Sequence, residues 1–152
     1  IYTLSLHDAL PISSLAFRRR VNEFYDSLNL SDQVRFLQPS ADVEIKDFTE
    51  ITEELVEQIA RMEPFGNGNP EPILKIAHAV VAGVRRMGAN GQHVKIALRD
   101  ASEKTLQVLA FNAPEMFFRE PGDEIAAWFQ PNINEWNGVR TVEGRLLHVE
   151  LR

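Results

Sequence analysis

The stretch that decides the fold class spans residues 124–151 and reads EIAAWFQPNINEWNGVRTVEGRLLHVEL. Its two halves, residues 124–133 and 140–151, are rich in the β-branched and apolar side chains that strands favour. Between them lies the pair Asn137-Gly138, which suits a two-residue hairpin because both central positions of a type I′ turn need a positive φ. The stretch therefore predicts two antiparallel strands joined by a tight turn.

Three further strands are predicted on the N-terminal side of this hairpin. Residues 73–84, 92–99 and 105–111 have the same composition and are separated by turn-forming residues. Gly83 lies late in the first of them, where a sheet that curls into a barrel needs a bend. The longer segment 112–123 separates the third strand from the fourth. Five antiparallel strands with an insertion at this place are the layout of an OB-fold barrel.

Two amphipathic helices are predicted ahead of the strands. The apolar residues of the first, over residues 14–28, recur on one helical face at Phe17, Val21, Phe24 and Leu28. The second begins after Thr52, a good N-cap, and Glu53 and Glu54 follow where the helix dipole favours anions. We therefore expect an α+β protein, mainly an antiparallel OB-fold-like five-stranded barrel preceded by two amphipathic helices.

The bulk composition is that of an ordinary globular protein. The chain has 152 residues, of which 44% are hydrophobic and 25% are charged. The absence of cysteine excludes disulfide bonds and thiolate zinc sites. Since no apolar run approaches the length needed to cross a bilayer, the sequence predicts a cytoplasmic protein with no membrane partner.

The charges are segregated along the chain. The net charge is −6, and residues 40–72 contain nine acidic residues against two basic ones. Residues 73–99 contain no acidic residue and five basic ones, namely Lys75, Arg85, Arg86, Lys95 and Arg99. This asymmetry predicts one cationic surface on an acidic protein.

The first twelve residues are expected to be foreign to the protein. Residues 1–12, IYTLSLHDALPI, correspond to one reading frame of a common short-read sequencing adapter. They are therefore excluded from the fold prediction as a non-native, adapter-derived segment. On this interpretation the natural chain begins further upstream, and the sequence is a truncated fragment.

Three short motifs carry a family resemblance: EPFGNGNPEP at residues 63–72, GQHVKIAL at 91–98 and NEWNG at 134–138. In letters, order and spacing they resemble the C-terminal region of the RecJ exonucleases, from about Phe17 to the end. The resemblance implies the C-terminal OB-fold module, binding single-stranded DNA, of a RecJ-like 5′–3′ single-strand-specific DNA exonuclease of DNA repair and recombination.

The same resemblance implies that the chemistry lies elsewhere. That family carries an Asp-His-His phosphoesterase domain and a second, DHHA1-like domain with a Gly-Gly-His motif, and neither motif occurs in this sequence. Mn²⁺ or Mg²⁺ would thus belong to a missing catalytic domain, and we expect no catalytic residue, metal ligand or nuclease activity here. Residues 13–38 would be the terminal helix of the substrate-binding domain, 39–72 a connector of strand, helix and Pro/Gly loop, and 73–152 the barrel.

Candidate DNA contacts follow from the alternation of the strand at residues 92–99. His93, Lys95 and Arg99 point away from its apolar side, and Arg85 and Arg86 are expected at the edge of the same cationic face. Single-strand binders combine such a face with aromatic side chains on which bases stack, and the aromatic residues expected in loops are Phe65 and Trp136. Each of these residues has a structural alternative: Trp136 as a cap of the barrel, Phe65 as an anchor of the connector, and His93 as the partner in a structural hydrogen bond.

Two functions remain open on the sequence. The first is binding of single-stranded DNA, and the second is docking of a protein, either the missing catalytic domain or another DNA-repair protein. The distribution of charge separates them. Convergence of Arg85, Arg86, Lys95 and Arg99 on one concave surface favours DNA, whereas scatter favours docking.

Overall fold

The computed structural model describes residues 14–27 and 39–152, which fall into two compact units divided between Gln38 and Pro39. Helix α1 (Ser14–Ser27) makes up the first described part, as predicted. Its apolar residues Phe17, Val21 and Phe24 are exposed. Leu28 and residues 1–12 lie outside the described residues. The adapter origin of residues 1–12 and the assignment of residues 13–38 to a preceding domain both stay predictions.

The second unit consists of six strands, one further helix and two single 3₁₀ turns. The strands are β1 (Val43–Ile45), β2 (Leu74–Met87), β3 (His93–Arg99), β4 (Thr105–Ala110), β5 (Glu124–Trp136) and β6 (Val139–Leu151). Helix α2 (Glu53–Ala60) and the turn Phe48–Glu50 lie between β1 and β2, and the turn Glu115–Phe117 lies between β4 and β5. None of the described helices is long and apolar enough to span a membrane.

The strand pairings confirm the OB-like layout. The order is β1-β2-β3-β4-β6-β5, and β2 also pairs with β5, so the pairings of the last five strands return to their start. The pairs β1–β2 and β4–β6 are parallel and the others antiparallel. The short predicted strand after Pro39 is β1, which adds a sixth strand beside β2.

β2 pairs with both β3 and β5 because it bends along its length. Its first half pairs with β5 and its second half with β3, and register shifts occur between Ile76 and Ala79 and between Val81 and Gly83. Such bulges bend a strand and increase its twist. The bend predicted at Gly83 is therefore confirmed.

The hairpin between β5 and β6 turns at Asn137 and Gly138, as predicted. Their φ values are 50° and 75°, both in the left-handed region that a type I′ turn requires. The strands run further than the composition indicates, so that Trp136 and Val139 form the last pair. The two strands consequently extend beyond the rest of the sheet as a ribbon.

The connector is a folded element that packs on the barrel. The N–H of Leu55 donates to the Thr52 hydroxyl at the N-terminus of α2, and α2 buries Val56 and Ile59. In the Pro/Gly loop, the Asn69 side-chain amide donates to two backbone carbonyl oxygens, at 2.8 Å on Met62 and 3.2 Å on Pro64. These contacts hold the loop in one shape beside the barrel.

Candidate nucleic-acid interface

One outward face of the sheet runs across β2, β3, β4 and β6. Strand register places the following pairs opposite one another on this face: Arg85 and Lys95, Gly83 and Ala97, Ala97 and Gln107, and Gln107 and Glu143. A cavity of about 360 Å³ opens on the face. Its lining residues are Gly83, Val84, Arg85, Lys95, Ala97 and Gln107. Cationic and amide groups thus surround a floor of small residues.

β3 alternates as its sequence predicts. Val94, Ile96 and Leu98 are buried in the core, whereas His93, Lys95 and Arg99 project outward. The apolar partners from β2 and β4 hold the inner side of the strand in place, which fixes the direction of the outer side chains. The three outward groups nevertheless differ in what they contact.

Lys95 is engaged by an acidic residue. Its ammonium Nζ lies 2.6 Å from Oε1 of Glu143, and both side chains are mostly buried. The two residues belong to β3 and β6, so the ion pair spans the intervening β4. The positive charge predicted for the middle of the face is therefore paired internally.

Arg85 and Arg86 point in different directions, because neighbouring residues of a strand face opposite sides. Arg85 lines the cavity opposite Lys95, and its guanidinium contacts the sulfur of Met87 at 3.4 Å. Arg86 stands opposite the buried Val94 and stacks over the ring of Phe118, 4.0 Å from its centroid.

His93 and Arg99 lie at the two ends of β3. His93 accepts a hydrogen bond on Nδ1 from the backbone N–H of Asn112 at 2.9 Å, and its ring packs edge-to-face against Phe111. Arg99 pairs with Glu103 at 3.1 Å and lines a separate cavity near the β3–β4 turn. The four arginines and lysines expected to converge are thus divided: Arg85 and Lys95 share a cavity, whereas Arg86 and Arg99 lie elsewhere. The distribution of charge alone therefore does not select DNA binding over docking.

The two predicted aromatic contacts also lie in different places. Trp136 ends β5 beside the hairpin turn and is 73% exposed, so it does not cap the barrel. Phe65 is half-buried in the Pro/Gly loop and lines a cavity of about 330 Å³ with Val56, Ile59 and Pro131. The environment of Phe65 fits an anchor of the connector, and that of Trp136 leaves its ring accessible.

Comparison with known proteins places the barrel in a family. Residues 41–148 match the family model described as RecJ OB domain. The chain belongs to the RecJ OB-domain family. It is 36% identical over 124 residues to the single-stranded-DNA-specific exonuclease RecJ of Bacillus subtilis (strain 168), an alignment that covers 79% of this chain and 15% of that protein.

Solved structures of RecJ show the same fold as this OB-domain chain. A structure of Thermus thermophilus RecJ with Mn²⁺ is 27% identical with a TM-score of 0.50, covering 90% of this chain and 19% of that one. A second, with Mg²⁺, is 24% identical with a TM-score of 0.52, covering 89% and 20%. The chain therefore spans about a fifth or less of the length of these relatives.

The metals in those structures have no counterpart in the described part of the OB domain. Within residues 14–27 and 39–152, no three His, Cys, Asp or Glu side chains are grouped as a metal site requires.

The structure adds site residues to the OB domain that the sequence analysis missed. Gln107 lines the cavity and Glu143 lies opposite it on β6. Phe111, which is 64% exposed, packs against the ring of His93 at one end of β3. The alternation of β4 is enough to turn Gln107 outward. The alternation of residues in β6 does not reveal which strand lies beside Glu143, because its partner strand β4 is remote in sequence.

Proposed function

We propose that this OB domain binds single-stranded DNA, as the C-terminal module of a RecJ-like 5′–3′ single-strand-specific exonuclease. The observation that carries the proposal is the cavity on the outward face of β2, β3 and β4, where Arg85 and Lys95 stand over a floor of Gly83 and Ala97. OB-folds bind oligonucleotides on the face made by their second and third strands. In this chain those strands are β3 and β4.

The proposed contacts divide by chemistry. Arg85 offers a forked guanidinium for a phosphate, and Lys95 offers a point charge that Glu143 restrains. Gln107 presents an amide, which can donate to and accept from a base edge. Trp136 provides an exposed ring for stacking, worth about 1–3 kcal/mol per base.

The other predicted residues hold secondary roles in this proposal. Arg86 is exposed although it stacks on Phe118, and Arg99 lies at the far end of β3. Both can contact a DNA strand that continues past the cavity. His93 and Phe65 act through the positions that they stabilise, His93 at the end of β3 and Phe65 in the connector.

For the whole protein, we propose that nuclease activity and the Mn²⁺ or Mg²⁺ that it uses belong to a catalytic domain outside this chain. The OB domain would hold the single strand that this catalytic domain shortens. Its nearest partner would then be that domain, with other DNA-repair proteins as further partners.

The experiment fills the cavity without changing charge. Ala97 points into it from the middle of β3, so Ala97→Leu places a bulky side chain on its floor. We expect the affinity for a short single-stranded oligonucleotide to fall roughly tenfold, because the bound DNA loses contact with the floor of the cavity. Fluorescence anisotropy measures this affinity. The matched control is Ala60→Leu, an exposed residue at the end of α2 that lines neither this cavity nor that of Arg99.

A second candidate function is supported by the cavity at Phe65. Three carboxylates, those of Glu57, Glu63 and Glu71, surround its apolar lining together with Arg140, which is itself paired with Glu57. An acidic, partly apolar cavity suits a protein surface that carries basic and apolar side chains. Binding of the oligonucleotide by the Ala97→Leu chain at wild-type affinity would mean that DNA does not contact the floor of the β3 cavity. If neither the wild-type nor the Ala97→Leu chain binds the oligonucleotide, docking at this second surface is favoured.

A further inference from the structure

An ion pair occupies the middle of the proposed strand-binding face. Glu143 is only 8% exposed, and its carboxylate contacts the ammonium of Lys95 at 2.6 Å. Gln107 of β4 lies directly opposite Glu143 and lines the cavity floor with Ala97. A carboxylate is thus built into the face at the point where a phosphate would otherwise meet Lys95.

The pair alters which part of a nucleic acid this point accepts. A phosphate brought to Lys95 must approach the carboxylate of Glu143 as well, and like charges held together on a partly buried surface repel strongly. A base does not meet this repulsion, and the small residues Gly83 and Ala97 leave room for it. The centre of the face is therefore suited to bases, and phosphates are best placed at its Arg85 side.

We infer that Glu143 is a specificity-determining residue: by cancelling the charge of Lys95, it makes this face bind single strands in preference to duplexes. The inference rests on the proposed function. A single strand can turn its bases toward the centre and its phosphates toward Arg85. A duplex keeps its bases stacked inside and presents phosphates, which Glu143 repels.

The experiment compares the Glu143→Gln chain with wild type on a single strand and on a duplex of the same sequence. Glutamine retains the size of the side chain and an oxygen that accepts from Lys95, and it removes the charge. We expect duplex affinity to rise about tenfold and single-strand affinity about threefold, so that the preference for single strands falls. The slope of log affinity against log salt for the duplex should steepen by about 0.9, which is one additional phosphate contact.

Two further variants control for charge and for the partner. Glu54→Gln removes the same charge from an exposed position on α2, and it should change both affinities less than twofold. In the double variant Lys95→Met/Glu143→Gln, the salt slope for duplex binding should return to the wild-type value, because the ammonium group of Lys95 that Glu143→Gln releases is then absent. Thermal unfolding of each chain verifies that it is folded.

The outcomes separate this inference from the proposed function. The role of Glu143 is wrong if Glu143→Gln behaves like Glu54→Gln, or if single-strand and duplex affinities rise by the same factor. If wild type binds neither nucleic acid while the Glu143→Gln chain binds the duplex, the proposed function is wrong, and of the role of Glu143 only the exclusion of duplex phosphates stands. If no chain binds either, both are wrong.

Discussion

Asp100, at the end of β3, accepts four hydrogen bonds, three within the β3–β4 turn and one that joins the connector to the barrel. One carboxylate oxygen accepts from the backbone N–H of Phe48, and the other accepts from the N–H and hydroxyl of Ser102 and the N–H of Lys104. Burial raises the pKa of this carboxyl, but these donors outweigh burial and leave the pKa below its ordinary value of 3.8. The ionised form is therefore the one that the fold stabilises.

We expect Asp100→Ala to lower the free energy of unfolding by about 2–4 kcal/mol at pH 7, because the buried N–H of Phe48 and the turn donors lose their acceptor. Since the folded pKa is lowered, the contribution is present above about pH 4 and is lost as the pH falls through the folded value. Urea unfolding between pH 7 and pH 2 measures both effects. The control is Asp123→Ala, which removes one exposed acceptor from the N–H of Glu120 and should cost less than about 1 kcal/mol. Equal losses in the two variants would contradict this role.

At the scale of the element, β6 packs against β4 and β5 through a residue without a side chain. A Cβ placed on Gly144 would lie 2.9 Å from a ring carbon of Phe129 and 3.0 Å from a methyl carbon of Val108. Both neighbours are fully buried, so neither has space to move aside. Gly144 thus sets the close approach of the strands that close the barrel.

We expect Gly144→Ala to destabilise the protein by about 1–3 kcal/mol through overpacking, and to lower the thermal midpoint by several degrees. The matched control is Gly83→Ala in β2, where an added Cβ meets nothing within 4 Å and φ is not positive. That variant should unfold within about 2 °C of wild type. A Gly144→Ala chain as stable as the Gly83→Ala chain would show that β6 has room to shift.

At the scale of the whole molecule, the fold brings together charges that the sequence separates. Of the five basic residues between positions 73 and 99, three form ion pairs: Lys75 with Glu44, Lys95 with Glu143, and Arg99 with Glu103. Arg85 and Arg86 form no ion pair with any residue in the described ranges. The cationic surface of this acidic protein is therefore smaller than its sequence predicts.

This arrangement predicts a shallow salt dependence for single-strand binding. Two unpaired arginines amount to two phosphate contacts, so the slope of log affinity against log salt should be about −1.4. In the double variant Arg85→Gln/Arg86→Gln the slope should approach zero, whereas Arg140→Gln, which removes a cation already paired with Glu53 and Glu57, should leave it near wild type. A wild-type slope of about −3 or steeper would mean that the paired cations exchange their carboxylates for phosphates.

The sequence by itself determined the elements of this barrel and their order. Alternation of apolar residues, the Asn137-Gly138 turn and the bend at Gly83 act over a few neighbouring residues, so their effect is readable in the chain. It also indicated which side of β3 faces outward, because the apolar side must be buried. The family resemblance rested on short motifs that are equally local.

Only the tertiary structure decided which outward groups meet. Lys95 and Glu143 are 48 positions apart and become neighbours because β4 and β6 pair in parallel when the barrel closes. Closure likewise brings Phe118 against Arg86 and gives Arg99 its own cavity. No local pattern encodes these contacts, because the pairing of strands remote in sequence depends on packing of the whole core. The charge of the face is therefore a property of the fold rather than of the segment that carries its lysines and arginines.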